Sequence, residues 1–144
     1  MRGRGVRIAW LCAGLLCCAV NAQADVYVIV NAGNPVAALS SDQIERLFLM
    51  KSKRFDSGDA AMPVNQDDGA PARQAFNERV LERNEQQLKY YWSRKMISGG
   101  DKPPPVVGGN AEVESFVAAN PGGIGYLGAA PKQAGVKIVL HLKE

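Results

Sequence analysis

Strand-like apolar runs recur at four places along the chain. Residues 25–30 are rich in β-branched and aromatic side chains and end at the turn-forming segment 31–35, which predicts a strand followed by a turn. A second short strand is predicted over 62–64. Two further strands are predicted near the C-terminus, over 124–127 and 136–142.

Apolar residues at helical spacing mark four segments between these strands. The predicted helices cover 42–50, 71–83, 85–97 and 111–119. Ser40 or Ser41 can cap the first helix, Pro71 fits the first position of the second, and Asn84 can cap the third. The intervening polar or Gly- and Pro-rich segments are predicted loops: 51–60, 65–70 and 99–110.

The order of these elements is β-α-β-α-α-α-β-β. It predicts an α/β domain with a central sheet, because strands that alternate with helices pack in that way. Residues 25–144 are enough for one independent core. Five large side chains lie on the inner faces of the predicted elements. We expect all five to be mostly buried in one continuous core: Phe48, Phe76, Trp92, Phe116 and Ile124.

The first 24 residues have the pattern of a secretory signal peptide. Residues 1–7 are basic, residues 8–20 are an unbroken run of 13 apolar residues, and small residues at Ala22 and Ala24 precede a cut at Asp25. A membrane-spanning helix needs about 20 apolar residues, so a retained anchor fits poorly. We expect a soluble exported protein, which suits a bacterial periplasm and leaves full secretion open.

Two other interpretations of the leader are weaker. A buried N-terminal helix would carry arginines at its start and would have no polar face. A lipoprotein would be cut before Cys17 or Cys18, yet Leu16 stands where a small residue is expected before Cys17.

Removing the leader changes the charge balance. The full chain has 17 Lys and Arg, 14 Asp and Glu, and a net charge of +3. The leader holds three arginines and no acid, so residues 25–144 carry 14 charges of each sign. A neutral domain gives no support for nucleic-acid binding.

The same removal narrows the possible chemistry. All three cysteines lie in the leader. Residues 25–144 therefore have neither a disulfide scaffold nor a cysteine nucleophile. His141 is the single histidine. It is expected at an exposed position in the last strand, and it cannot form a His-rich metal site or a catalytic triad by itself. No P-loop, dinucleotide or zinc motif is present. We therefore expect no enzyme, no metal and no cofactor.

The most informative segment for binding is 64–73, a strand end, a Gly-containing loop and a helix start. Backbone N–H groups at a helix start favour an anion, and Arg73 can offer a planar fork of donors to phosphate or carboxylate. In the competing interpretation Asp67 or Asp68 caps the helix and fills the anion site with its own carboxylate.

Two other features have a functional and a plain interpretation. The paired carboxylates Asp67 and Asp68 are candidates for acid–base catalysis or a metal site, but adjacent side chains point apart and a solvated loop explains them. Tyr90, Tyr91 and Trp92 could form a stacking platform, whereas helical spacing favours Tyr91 and Trp92 as core residues.

Several segments resemble a known family. LSSDQIERLFLMKSKRFDSGD, MPVNQDDGAPARQAF, LKYYWSRKMISG and VESFVAANPGGIGYL look like parts of phosphate ABC-transporter substrate-binding proteins, and more closely of their short single-lobe relatives. The most specific matches are 120–126, similar to the family's "pGxIGY", and 47–51, similar to its "IFxGK". The resemblance implies a single lobe of a type 2 periplasmic-binding fold, with a central mixed sheet flanked by helices, over residues 25–144.

The resemblance also implies a ligand site at the family's "RSDGSGTT" segment. Asp68 and Gly69 match it, whereas Ala70 and Ala72 stand where hydroxyl side chains would donate to phosphate. The short relatives carry Gly-Ser here and an arginine four positions after the glycine; this chain keeps the glycine and Arg73. The implied ligand-binding residues are Asp68, Gly69, Ala70 and Arg73. Each unmet phosphate oxygen costs about 1–3 kcal/mol, so weak binding is expected.

Two functions follow from this site. The first is a periplasmic solute-binding module for inorganic phosphate or a similar oxyanion, associated with a membrane transporter or sensor protein. The second is a non-enzymatic interaction or accessory module that has lost ligand binding, because the hydroxyls and a second lobe are missing.

Overall fold

The computed structural model of the protein describes residues 25–144, and the signal peptide predicted at 1–24 lies outside them. The strands are β1 (Val26–Asn31), β2 (Met62–Pro63), β3 (Asn65–Gln66), β4 (Val106–Gly108), β5 (Gly123–Leu127) and β6 (Val136–Leu142). The helices are α1 (Ser41–Phe48), α2 (Pro71–Phe76), α3 (Glu85–Ile97) and α4 (Asn110–Ala119). In this part of the chain no helix is long and apolar enough to cross a membrane.

The main sheet has the strand order β2-β5-β1-β6. β1 pairs antiparallel with both β5 and β6, whereas β2 pairs parallel with β5. The predicted α/β fold with a central mixed sheet is therefore confirmed, and all four predicted strands belong to this sheet.

Side-chain caps set the starts of two helices. Ser40 accepts a hydrogen bond from the backbone of Gln43, whose side chain accepts one from the backbone of Ser40. Asn84 and Gln87 form the same reciprocal pair at the start of α3. Such capping boxes satisfy N–H groups that the first helical turn leaves without partners, so α1 and α3 begin within one residue of their predicted starts.

The predicted helix over 71–83 is not continuous α-helix. Six α-helical residues of α2 are followed by a π-helical turn, Asn77–Leu81, which ends at Glu82 with a left-handed φ of 53°. The turn carries Asn77, whose buried side chain faces the first residue of α3. A π-turn of this kind is common near functional sites.

A second, two-stranded parallel sheet lies where loops were predicted. It pairs β3 with β4, which fall inside the segments 65–70 and 99–110. These strands have two and three residues, too few for an alternating pattern to identify them.

Two hydrophobic clusters pack on the main sheet, because alternate residues of a strand point to opposite faces. Val28 and Val30 join the cluster formed with α1, α2 and α3, whereas Ile29 joins the cluster formed with α4. The prediction of one continuous core was therefore wrong. Phe48, Phe76 and Ile124 are buried as expected, but Trp92 and Phe116 are only half-buried at the edges of the two clusters.

One glycine of the 120–126 segment allows α4 to lie close to the sheet. A Cβ atom on Gly125 would overlap the side chain of Val113 and press on Val64. The neighbouring residues Ile124 and Tyr126 are fully buried on the other face of β5. Residues 124–126 thus determine how both faces pack at the centre of the sheet.

Candidate functional site

Arg73 is the centre of the candidate site, and the protein's own oxygens hold its guanidinium. Its Nε donates to Glu85 Oε1 at 2.8 Å and its Nη2 to Glu85 Oε2 at 3.3 Å. Its Nη1 donates to the backbone oxygen of Gln66 at 2.9 Å, and its Nη2 lies 3.2 Å from Asp68 Oδ1. The Arg73 side chain is 14% exposed, so these partners replace most of its water.

Glu85 occupies the position that a bound oxyanion would take on this guanidinium. Its two oxygens accept the parallel, two-point contact that arginine makes with carboxylate or phosphate. Asn77 adds a third donor, from Nδ2 to Glu85 Oε1 at 2.6 Å. The carboxylate also lies in the first turn of α3, where the helix dipole favours negative charge.

The backbone at the start of α2 offers fewer donors than expected. From the sequence, the backbone N–H groups at this helix start were expected to favour an anion. The Ala70 N–H donates instead to the Asp67 oxygen at 3.1 Å, and Pro71 has no N–H. Gly69 makes this tight turn with a left-handed φ of 78°. Because Ala70 and Pro71 offer no backbone donor to a ligand, Arg73 carries most of the attraction for an anion.

The predicted helix cap is also wrong. Ala70 is the N-cap residue of α2, and no side chain accepts a hydrogen bond there. Asp67 contributes its backbone oxygen, and Asp68 pairs with Arg73 through a side chain that is 79% exposed. The intervening turn directs the Asp68 carboxylate towards the guanidinium rather than towards the helix end.

A cavity of about 240 Å³ opens beside Arg73. It is lined by Gly69, Ala70, Arg73, Gln74, Asn77, Glu78, Asn84 and Glu85. Three of the four expected site residues therefore meet at one cavity. Asp68 instead lines an adjoining cavity of about 390 Å³, which shares Arg73, Asn77 and Glu85.

A buried polar network fixes the loop that carries the site. The Gln66 side chain donates to the Tyr126 backbone oxygen and to Asn110 Oδ1, both at 2.8 Å. The Tyr126 hydroxyl donates to Asn65 and accepts from the Gln66 backbone N–H. Burial raises the pKa of Tyr126 above its ordinary value of 10.0, so the phenol remains neutral and keeps donating. Because Gln66 is held in this way, its backbone oxygen is fixed against Arg73.

Glu85 and Asn77 were not predicted as site residues. Both lie outside the 64–73 segment. Asn77 follows α2, and Glu85 opens the next helix. An acid in the first turn of a helix is usually explained by the dipole alone, so sequence gave no signal that Glu85 faces Arg73.

The aromatic residues of α3 and His141 were the other candidates from the sequence. Tyr90 is 65% exposed, whereas Tyr91 and Trp92 are half-buried against the first cluster. The rings of Tyr91 and Trp92 meet edge to face, with their centres 5.0 Å apart. His141 is exposed, as predicted, and stacks on Tyr27 at 4.1 Å. Within residues 25–144 no group of three His, Cys, Asp or Glu side chains is placed to hold a metal ion.

Asp25, the first residue after the predicted cut, ties the two ends of the domain together. Its carboxylate accepts from the Glu144 backbone N–H at 3.0 Å and lies 3.3 Å from His141 Nε2. These two hydrogen bonds, in that order, lower the pKa of Asp25 below its ordinary value of 3.8.

This contact predicts a small acid sensitivity. A carboxyl whose pKa is lower in the folded state stabilises the fold above its ordinary pKa, and that contribution is lost as the pH falls through the folded value. We expect Asp25→Asn to reduce the difference in unfolding free energy between neutral pH and about pH 3. Carbon-detected NMR titration of the parent should place the Asp25 pKa below 3.8. A pKa at or above that value would contradict the prediction.

Comparisons with known proteins support the fold. No protein-family model matches the chain, and no curated protein matches it in sequence. Two solved structures are similar. One is a protein assigned as a phosphate ABC transporter substrate-binding protein, with bound phosphate, from Clostridium perfringens (TM-score 0.64, 21% identity, 81% of this chain). The other is an ABC-type phosphate transport receptor from Vibrio cholerae (TM-score 0.62, 15% identity, 81% of this chain).

The chain spans about half of each of these proteins, 45% and 47% of their lengths. Likeness at these identities shows the fold alone. The chain therefore shares the α/β fold of these two transport proteins. Within that fold this chain has a particular local feature: the guanidinium of Arg73 is already paired with the chain's own carboxylates.

Proposed function

We propose that residues 25–144 act as a non-enzymatic binding module that takes inorganic phosphate or a similar oxyanion weakly at Arg73, in competition with Glu85. The observation that carries the proposal is the two-point contact between Arg73 and the Glu85 carboxylate. A guanidinium fixed in that geometry can donate the same two hydrogen bonds to a planar or tetrahedral oxyanion of similar size. The cavity beside it, lined by Gly69 and Ala70 among others, provides the space.

Competition with Glu85 explains why binding should be weak. Arg73 has two carboxylates around it, Glu85 and Asp68, so the three side chains together carry one negative charge. An incoming anion has to displace Glu85, which is tethered beside the guanidinium at a high effective concentration. Ala70 and Ala72 add no hydroxyl donors.

The proposal also includes the compartment in which the module acts and the proteins with which it works. We propose that residues 1–24 direct export to the periplasm and are then removed. We also propose that the chain is a single lobe that works with a membrane transporter or sensor protein. The half-length match to the two transport proteins supports this arrangement.

A second candidate is an accessory module that no longer binds a small ligand. The two carboxylates on Arg73 favour it, because together with the Gln66 backbone oxygen they give Nε and both Nη atoms a partner without any ligand. In this case the charged cluster is a structural contact between α2 and α3.

Calorimetric titration with inorganic phosphate separates the two candidates. For an oxyanion module we expect a dissociation constant between about 1 µM and 1 mM at low salt, and weaker binding at high salt because exposed charges are screened. Arg73→Ala should weaken binding at least about tenfold. Ala70→Ser should strengthen it by about 1 kcal/mol, because it returns one donor.

The outcomes are distinct. A measurable affinity that Arg73→Ala leaves unchanged would place the site elsewhere on the chain. No heat of binding from the parent or from Ala70→Ser would favour the accessory module.

A further inference from the structure

Helix α3 presents a face that the rest of the described chain does not cover. Leu88 is its one buried residue, and Tyr91 and Trp92 pack only partly against the first cluster. On the opposite side, Tyr90, Arg94 and Ile97 follow one another at helical spacing. Tyr90 is 65% exposed and Ile97 is 87% exposed, the highest values among the large hydrophobic side chains of residues 25–144.

We call this surface the α3 outer face, and we define it by six residues. They are Arg83, Tyr90, Tyr91, Arg94, Lys95 and Ile97. The first five line a shallow concavity together with amide and hydroxyl side chains, and no Asp or Glu is among its lining residues. The surface therefore combines positive charge with exposed aromatic and aliphatic area.

The cations of the α3 outer face are held in place by aromatic rings. The Arg94 guanidinium lies 5.6 Å from the centre of the Tyr90 ring, and the Arg83 guanidinium lies 5.7 Å from that of Tyr91. Lys95 Nζ lies 5.6 Å from the Tyr91 ring and donates to the Leu49 backbone oxygen at 2.8 Å. Cations ordered in this way lose little side-chain freedom on binding a partner.

The positive charge of this face is only partly balanced locally, and Arg94 is a cation of this face without an ion pair among residues 25–144. Arg83 lies 3.3 Å from Glu45, which it shares with Lys51. Lys95 is bound to backbone oxygens, and within residues 25–144 no carboxylate forms an ion pair with Arg94. Residues 25–144 as a whole are neutral, so an excess on one face selects a partner of the opposite charge.

We propose that the α3 outer face docks an acidic segment of another protein. Carboxylates of the partner pair with Arg94, and an apolar side chain beside them packs on Tyr90 and Ile97. Arginine and tyrosine are the residue types that most often dominate the energy of protein interfaces. The site at Arg73 does not take part, because Glu85 faces it from the opposite side of α3.

A protein partner fits this face better than a membrane. Each basic residue near an anionic bilayer contributes only about 1 kcal/mol, and two of the three cations already have partners inside the domain. Interfacial helices also need a broad apolar face, whereas here Ile97 and Tyr90 are separated by Arg94.

The proposal is tested with a fluorescent synthetic peptide that carries glutamates around one leucine. We expect saturable anisotropy binding to residues 25–144 at low salt. Arg94→Glu should weaken it at least about tenfold, and Tyr90→Ala about threefold or more. Lys89→Glu is the matched control, because it makes the same charge change on the same helix but away from the α3 outer face. It should change binding less than about twofold.

Other outcomes would overturn the proposal. Equal losses from Lys89→Glu and Arg94→Glu would indicate unspecific attraction, and no saturable binding would leave the face without its partner. Binding to phosphatidylglycerol vesicles, but not to the peptide, would identify a membrane surface. A concentration-dependent dimer that Arg94→Glu dissociates would identify a second copy of the chain. Phosphate titration of Arg94→Glu, expected to match the parent, shows that the Arg73 site and the fold are intact.

Discussion

Phe76→Ala is expected to lower the free energy of unfolding by about 3–5 kcal/mol. Phe76 is 1% exposed and stacks on Tyr126 at 4.0 Å, with the ring planes 7° apart. Phe48 lies 4.7 Å from Phe76 and 6.0 Å from Tyr126, measured between ring centres. The substitution removes one of three mutually contacting rings and leaves a cavity between α1, α2 and the sheet.

Urea unfolding measures this effect. A domain of this size has a total stability of about 5–15 kcal/mol, so the midpoint should fall sharply while the slope stays nearly constant. Phe116→Ala is the matched control, because Phe116 is half-buried at the edge of the α4 cluster. Phe116→Ala should lower the free energy of unfolding by less than half as much as Phe76→Ala. Similar losses from both variants would contradict the division into two clusters of unequal depth.

The sequence predicted most of the fold because the relevant signals are local. Ser40 and Asn84 start helices through their own side chains. The apolar run at 136–142 matches β6 residue for residue. Patterns of this kind depend on neighbours within four residues, and they do not require knowledge of the tertiary structure.

The depth of burial was harder to predict, because it depends on how much of each helix is covered. Helical spacing placed Trp92 on the inner side of α3, and it does contact the first cluster. It remains half-buried because α3 packs at the edge of the domain, where Leu88 is its one fully covered residue. Phe55 shows the opposite case: it lies in a polar segment predicted as a loop, yet it is 3% exposed.

The candidate site was half predictable for a related reason. Gly69, Ala70 and Arg73 are close in sequence, and the structure brings them to one cavity. The partner that decides their chemistry is Glu85, which a π-turn and a left-handed residue at Glu82 bring back against Arg73. No periodic pattern records that return of the chain, so the sequence could indicate an arginine for an anion but not the carboxylate already bound to it.

Replacing this carboxylate is expected to have the largest effect on ligand binding. Glu85→Gln keeps the size of the side chain and removes its charge, so Arg73 is left with Asp68 as its single anionic partner. Two unit charges about 5 Å apart repel by roughly 3 kcal/mol at an effective dielectric constant of 20, and solvent reduces this value at a half-exposed site. We therefore expect the dissociation constant for inorganic phosphate to fall about tenfold or more at low salt.

Glu78→Gln provides the control for this experiment. Glu78 lines the same cavity, and its side chain accepts from Gln74 rather than from Arg73. It removes an equal charge without releasing the guanidinium, so it should change phosphate affinity less than about threefold. Equal tightening by the two variants would mean that the net charge of the cavity, and not release of Arg73, controls binding. If calorimetry detects no phosphate binding even to Glu85→Gln, the contact between Arg73 and Glu85 is a structural tie between α2 and α3, and the module acts through its protein partners alone.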